Sequence, residues 1–300
     1  MDKLRAMEVF VRIAEHGSLT AAARELGGSL SAVVRTLAAY EAQLGVRLFH
    51  RTTRRVALTD EGRQHLDRCR HLLAELEEAE SALKSGAAAP VGHLQITAPV
   101  LFGQMYVAPA VTRFVRKHPG LSCTTLLLDR VVNLLEEGLD VGIRIGELED
   151  SSLVAQNLGH IRRVVVAAPS FLRRNGTPLH PRELKLHNCI RSVVPGRSAW
   201  GDFQEDGRVF QVPVSGNLEF NHVWPAVQAC AQGLGLGMFL SYQVAPLVAE
   251  GKLRIVLEAF ELPPRPISIV YPSARLVPAR TRAFIDFARK EITQFRAAHA

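Results

Sequence analysis

A chain that places Ala23, Gly27 and Val33 at separations of four and six residues, inside an Ala- and Leu-rich stretch, has few local folds open to it. A helix-turn-helix needs a small side chain where its two helices cross. It also needs a turn residue at ease in the left-handed backbone region, and a buried aliphatic on the second helix. The triplet alone recurs by chance, so its flanks decide the matter. Upstream, Leu4, Met7, Phe10, Val11 and Ala14 share one helical face and Gly17 stops that helix. Ser18 is suited to cap a short second helix ending at Gly27 and Gly28, and Ser29 or Ser31 a third, closed by Gly45. Downstream, FHRTTRRVALT reads as two β-prone pieces around a basic turn.

The order is therefore helix, helix-turn-helix, wing, a geometry in which the second helix of the motif enters a DNA major groove by its N-terminus. Ser29, Ser31, Ala32 and Arg35 then face DNA, while Leu26, Val33 and Leu37 pack inward. Arg51 and Arg54 of the wing are placed to grip phosphates, which fixes position but carries little sequence information. Charge follows the same plan. Residues 1–59 hold nine Lys or Arg against five Asp or Glu, and Arg47, Arg51, Arg54 and Arg55 bunch at the end of that segment. The net charge of +7 favours a polyanionic partner, and its focus here favours a phosphate backbone.

Three hundred residues, 47% hydrophobic and 22% charged, describe a folded chain of more than one domain. Residues 59–84 predict one long helix, with Thr59 as cap and Asp60 and Glu61 in its first turn. Leu66, Cys69, Leu73, Leu76 and Leu83 make a narrow stripe suited to pairing with another helix, interrupted at Glu80. SGAAAPVG, residues 85–92, is small and uncharged and reads as a hinge. Beyond it strands and helices alternate. Strands are expected at LQITAP, LSCTTLLL, DVGIRIG, RRVVVAAP, GLGMFL and ISIVYP, with helices at 103–118, 130–138, 223–233 and 278–296. Such alternation predicts α/β units with parallel sheets, in two lobes with a cleft at the strand ends.

Other classes find little support. Cys69, Cys123, Cys189 and Cys230 lie far apart with no C-x-x-C pair and no zinc-like spacing, as expected for reduced thiols in a cytoplasm. A peroxide-sensing pair stays open, because spacing does not decide it. The charged start Asp2, Lys3, Arg5 is unlike a signal peptide, and no run approaches a membrane span. GLGLG at 233–237 lacks the third glycine of a dinucleotide fingerprint, since Leu240 stands there. No nucleophile elbow, phosphate loop or H-E-x-x-H motif is present, so neither an enzyme nor a cofactor is expected. An architectural DNA-binding protein is a second alternative, but it leaves the long C-terminal half without a use.

The segments GSLTAAARELGGS, SAVVRTLAAYEAQLGVRLFHRTTRRVALTDEG and TAPVLFG resemble those of the LysR-type transcriptional regulators, and the likeness extends over the whole chain. It implies a winged helix-turn-helix at 1–59, a dimerising linker helix at 60–87, a hinge at 88–92 and an effector-binding domain at 93–300. That last domain is of the periplasmic-binding-protein-like α/β type, with lobe I at 93–161 and 267–300 and lobe II at 162–266. The resemblance also implies a homodimer pairing into a homotetramer, interrupted inverted repeats in promoter DNA, a small-molecule effector and contact with RNA polymerase. Thr20, Ser31, Ala32, Arg35, Arg51 and Arg54 match the family's DNA-contacting positions. Three residues depart from it: Leu30 stands where Gln is common, Val34 where Ser is common, and Tyr40 where Leu is usual. Gln bonds adenine bidentately, whereas Leu and Val offer only apolar contact, for instance with a thymine methyl, so an unusual operator or a weak base readout is implied.

For the effector, Val100 and Leu101 open a helix whose free N–H groups could take a carboxylate. The family often has a hydroxyl there, so this pair points to a more apolar effector, such as an apolar or aromatic carboxylate, to none, or to a merely packed helix start. Asp129 and Arg144 end strands and suit either an anionic ligand or a structural ion pair. Trp200 and Phe203 suit either closure over a ligand or packing beneath their loop. Asn221 and His222 match positions near the family's effector, with a cap or surface role as the alternative for His222.

Overall fold

The computed structural model describes residues 2–52, 55–84, 90–148, 153–192, 200–273 and 277–292. The chain divides into two compact units, one of which contains residues 1–94 and the other most of the remainder.

The first unit opens on α1 (Lys3–His16), whose start is capped by Asp2: its carboxylate accepts the N–H groups of Leu4 and Arg5 at 3.1 and 3.2 Å. Next come α2 (Leu19–Glu25) and α3 (Leu30–Leu44). Ser18 caps α2 and Ser29, not Ser31, caps α3 by accepting the Ala32 N–H at 3.2 Å. Between them Gly27 has φ +63°, the left-handed turn that a side chain would strain. The strands β1 (Phe49–Thr52) and β2 (Arg55–Leu58) pair antiparallel, Phe49 opposite Leu58. Thr59 then caps α4 (Asp60–Lys84), accepting the Gly62 N–H at 2.9 Å while donating to the Arg47 carbonyl at 2.8 Å. A Cβ at Gly62 would run into the Leu48 carbonyl, so α4 can lie against the wing only with glycine there.

Phe10 and Ile13 of α1, Ala22 and Ala23 of α2, Val33, Leu37 and Tyr40 of α3, Leu48 and Phe49, and Leu66 and Cys69 of α4 form one core. The stripe on α4 is spent there first. Leu66 and Cys69 are buried, Leu73 is partly so, and Leu76 is exposed. The side chain of Leu83 and the hinge residues 85–89 lie outside the described residues.

The second unit is built on two sheets. The strands β3 (Gly92–Ala98), β4 (Leu121–Leu127), β5 (Val141–Ile145), β6 (Leu153–Ile161) and the late β14 (Arg265–Pro272) form one of them, in the order β4-β3-β5-β14-β6. The other comprises β7 (Arg163–Ala167), β12 (Gly237–Leu240) and β13 (Arg254–Val256), with β7 central. Between β7 and β12 lie α7 (Pro169–Asn175), the short strands β8 (Arg191–Ser192), β9 (Phe203–Glu205), β10 (Arg208–Phe210) and β11 (Glu219–Phe220), and α8 (Val223–Ala231). The helix α9 (Ser241–Ala249) follows β12.

Expectation and structure part at three places. The sheets are not purely parallel: in the five-stranded sheet β3 and β5 are parallel but β14 runs antiparallel to both its neighbours, and in the other sheet β7 is antiparallel to β12 and β13. The helix expected from residue 103 starts earlier, as α5 (Val100–Phe102), passes through a π turn at Gly103–Val107, and continues as α6 (Ala108–Lys117). The helix expected at 130–138 is absent. There the Asn133 side chain accepts the Leu135 N–H at 3.1 Å, and Gly138 at φ +65° closes the segment after a single turn. The last helix, α10 (Ala279–Glu291), packs on α6 through Phe114 against Phe284 and Phe287 and through the Arg113–Glu291 ion pair.

Both faces of β7 are buried, which explains its unbroken apolar run. Val165 and Ala167 face Phe171, Leu184, Trp200 and Phe203, while Val164 and Val166 face Ala226, Val227, Cys230 and Phe239.

Candidate nucleic-acid interface and sensing unit

Helix α3 divides its residues sharply. Val33, Leu37 and Tyr40 point into the core, whereas Leu30, Ser31, Val34, Arg35 and Ala38 lie on the solvent arc. Among the described residues Arg35 makes no ion pair or hydrogen bond, so its guanidinium is available to an outside anion. The hydroxyls of Ser29 and Ser31 lie 3.0 Å apart, and Ser29 is further engaged as the cap. Thr20, in the first turn of α2, is exposed, and Ala32 is half-buried. Arg51 sits on β1 opposite Val56, with its side chain outside the described residues; Arg54 is outside them entirely.

Several basic residues on α1 are already engaged. Arg5 pairs with Glu8 and donates to the Leu26 carbonyl at 3.1 Å, closing the end of α2. Arg12 pairs with Glu15 and Glu25, and His16 bonds Glu25. The positive charge of Arg35 on α3 has no such partner among the described residues.

Two features of this unit escaped sequence reasoning. Glu41 is only 7% exposed, and its Oε1 accepts the N–H groups of Leu48 and Phe49 at 2.8 and 3.3 Å. The carboxylate thus ties the wing to the end of α3. The one local signal is position: Glu41 follows Leu37 and Tyr40 on the inward face. The second is a polar cluster between α3 and α4. The Tyr40 hydroxyl lies 2.7 Å from His65 Nε2, Cys69 Sγ lies 3.2 Å from the same nitrogen, and Phe10 stacks on the imidazole. A hydroxyl where leucine is usual requires a buried partner, and His65 is that partner.

In the second unit, the Val100 N–H donates to Asp129 Oδ1 at 3.0 Å, so these two expected residues do meet. The next turn is closed by Tyr242 at the start of α9, whose hydroxyl receives hydrogen bonds from the Phe102 backbone and from Gln243 Nε2 at 3.2 Å. Burial foremost, with the Asp129 charge adding to it, pushes the Tyr242 pKa up. Phe102, Tyr106 and Tyr242 pack as an aromatic trio with centroids 5.0 to 5.9 Å apart. Tyr106, Tyr242 and Gln243 were not singled out from the sequence. The only hint was the helical i, i+4 spacing of Phe102 and Tyr106.

Other expected effector residues are placed differently. Leu101 is half-buried. Arg144 donates to the Val132 carbonyl at 2.7 Å. Trp200 and Phe203 do not stand over a cleft: they are 5% and 2% exposed inside the core around β7, and the Trp200 indole donates to the Ile190 carbonyl at 3.3 Å. Asn221 and His222 are exposed at the start of α8, where His222 occupies the cap position without a side-chain bond. All four cysteines are free thiols. Among the described residues no group of three His, Cys, Asp or Glu converges as a metal would need, and no helix is long and apolar enough to cross a membrane.

A winged helix-turn-helix joined by a long helix to a two-sheet α/β unit is the plan of a DNA-binding regulator with a separate sensing domain. The chain belongs to the LysR family of transcriptional regulators. Residues 4–63 match the bacterial regulatory helix-turn-helix protein, lysR family, and residues 87–293 match the LysR substrate binding domain. An HTH-type transcriptional regulator of Xanthomonas campestris is 36% identical over 93% of this chain and 82% of that protein. An HTH-type transcriptional repressor of Pseudomonas aeruginosa is 33% identical over 96% and 91%. The solved structure of CrgA, a LysR-type regulator from Neisseria meningitidis, is similar with a TM-score of 0.61 at 31% identity, covering 96% of this chain and 98% of that one.

Proposed function

We propose that this LysR-family regulator binds promoter DNA as a sequence-selective homo-oligomer, acts in the cytoplasm, catalyses no reaction and needs no cofactor. In this reading the segments 1–59, 60–87, 88–92 and 93–300 are the DNA-binding unit, the dimerising linker helix, the hinge and the effector domain. Thr20, Ser29, Ser31, Ala32, Arg35, Arg51 and Arg54 form the DNA-facing set, and two dimers pair into a tetramer on an inverted repeat. The carrying observation is α3 itself, whose solvent arc offers Ser31 and Arg35 beside a basic wing while its other face closes the core. Footprinting of the protein's own upstream region at graded salt tests it. Two protected half-sites in helical phase support the reading, and no selective protection at moderate salt contradicts it.

The effector is a small molecule held between the lobe of β3–β6 and β14 and the lobe of β7–β13, near Val100, Leu101, Asp129, Arg144, Asn221 and His222. Its occupancy adjusts the contact with RNA polymerase. Because Asp129 already holds the Val100 N–H, an apolar or aromatic ligand suits this place better than a carboxylate, which has to displace Asp129.

A further inference from the structure

We propose that Leu30 and Val34 read thymine methyl groups in the major groove, so that base selection by this regulator rests on apolar contact more than on hydrogen bonds. The inference rests on the DNA-docking reading above and adds to it the chemistry of the readout.

Leu30 is 45% exposed and Val34 37%, one turn apart on α3. Neither belongs to the core of the unit, which closes through Val33, Leu37 and Tyr40, nor to the partly buried residues packed on it. Folding therefore leaves two branched apolar side chains in water beside Ser31 and Arg35, on the arc that carries the DNA-facing residues. The polar side chains at the helix start are partly spent, since Ser29 caps α3 and its hydroxyl lies within bonding distance of that of Ser31. On the exposed arc of the first two turns of α3, what remains to distinguish bases is the Ser31 hydroxyl, the Arg35 guanidinium and this apolar pair.

The major-groove edges of A, G and C present mainly hydrogen-bonding groups; only thymine presents a methyl group. An apolar side chain laid on a polar edge strips its water and returns no hydrogen bond, which is a penalty. Laid on a methyl group, it removes apolar surface from water on both sides. That is worth about a fourfold gain in affinity per methyl. Along the helix axis the two residues are about 6 Å apart, close to two base-pair steps of about 3.4 Å. Each half-site should therefore hold two thymines within about three consecutive base pairs, on either strand.

The test replaces thymine by deoxyuridine, which removes the methyl and leaves every hydrogen-bonding group in place. A binding site is first selected from random duplex DNA with the full-length protein. Each thymine is then replaced singly, and affinity is read by fluorescence anisotropy at fixed salt. We expect two positions per half-site at which replacement weakens binding about fourfold, the others changing less than about twofold. L30Q should abolish the sensitivity at one of these positions and V34S at the other, each leaving the rest unchanged. A selected site indifferent to every replacement overturns the inference, as does a sensitivity that persists undiminished in both variants. If the wild-type protein selects no site at all, the docking reading falls and this inference with it.

Discussion

The Asp129 carboxylate accepts the backbone N–H of Val100 at 3.0 Å, so the helix start that an anionic effector would use is capped by the protein itself. Asp129→Ala should lower stability by about 1 kcal/mol, the size of a lost cap. It should also free the N–H, so that benzoate raises the melting temperature of the variant more than that of the wild type. Equal shifts in both proteins contradict this role of Asp129.

Glu41 holds the wing against α3 through two buried N–H bonds. Glu41→Ala leaves both donors without a partner and should cost about 2–3 kcal/mol in urea unfolding. DNA affinity should fall with it, although Glu41 itself faces the core. Unchanged affinity would show that the wing position is set by other contacts.

The His65 pKa is held below the ordinary histidine value, by burial first and then by the charges of Arg68 and Lys3. The unfolded chain takes up this proton near pH ~6.5 and the folded chain only at lower pH. Stability from His65 is thus complete above that value and is lost as pH falls from it toward the lowered folded value. Melting curves from pH 8 to pH 5 should show a decline starting below pH ~6.5. His65→Gln, which keeps an acceptor for Tyr40, should flatten it; an equally steep decline in the variant refutes the assignment.

Burial pushes Cys189 up to about 12 and Cys230 further still, and holds Cys123 near about 11. Thiols held so far from the thiolate are poor nucleophiles. Iodoacetamide at neutral pH should label Cys189 and Cys230 in the folded protein roughly tenfold or more slowly than in denaturant, as read by mass spectrometry. Rapid labelling of either in the native state would reopen a redox role.

The first sixty residues were legible because each decision there is local. Ser18 and Ser29 cap, Gly27 turns, and the apolar spacing of α1 and α3 assigns the inward faces. Beyond residue 90 the decisive contacts are distant. Nothing in ISIVYP states that β14 runs against β5 and β6, so the parallel sheets expected from alternation hold only in part. The segment 130–138 has helical composition, but the Asn133 side chain and the left-handed Gly138 end it after one turn. Trp200 and Phe203 sit among polar neighbours in sequence, yet β7 is buried on both faces and draws them into its core. Glu41 is buried only because the wing folds back onto it, a contact that no local pattern states. The family likeness assigned the class, while the cap at Val100 and the exposed Leu30–Val34 pair are particulars of this chain.

The central claim, that α3 enters the major groove, is tested most directly by methylation interference on a selected site. Dimethyl sulphate modifies guanine N7 in the major groove and adenine N3 in the minor groove. Docking of α3 predicts that N7 methylation blocks binding in two half-sites whose centres are about 34 Å or a multiple of it apart, and that Arg35→Ala weakens binding to the unmodified site. Interference confined to adenine N3, or an affinity indifferent to Arg35, would contradict it.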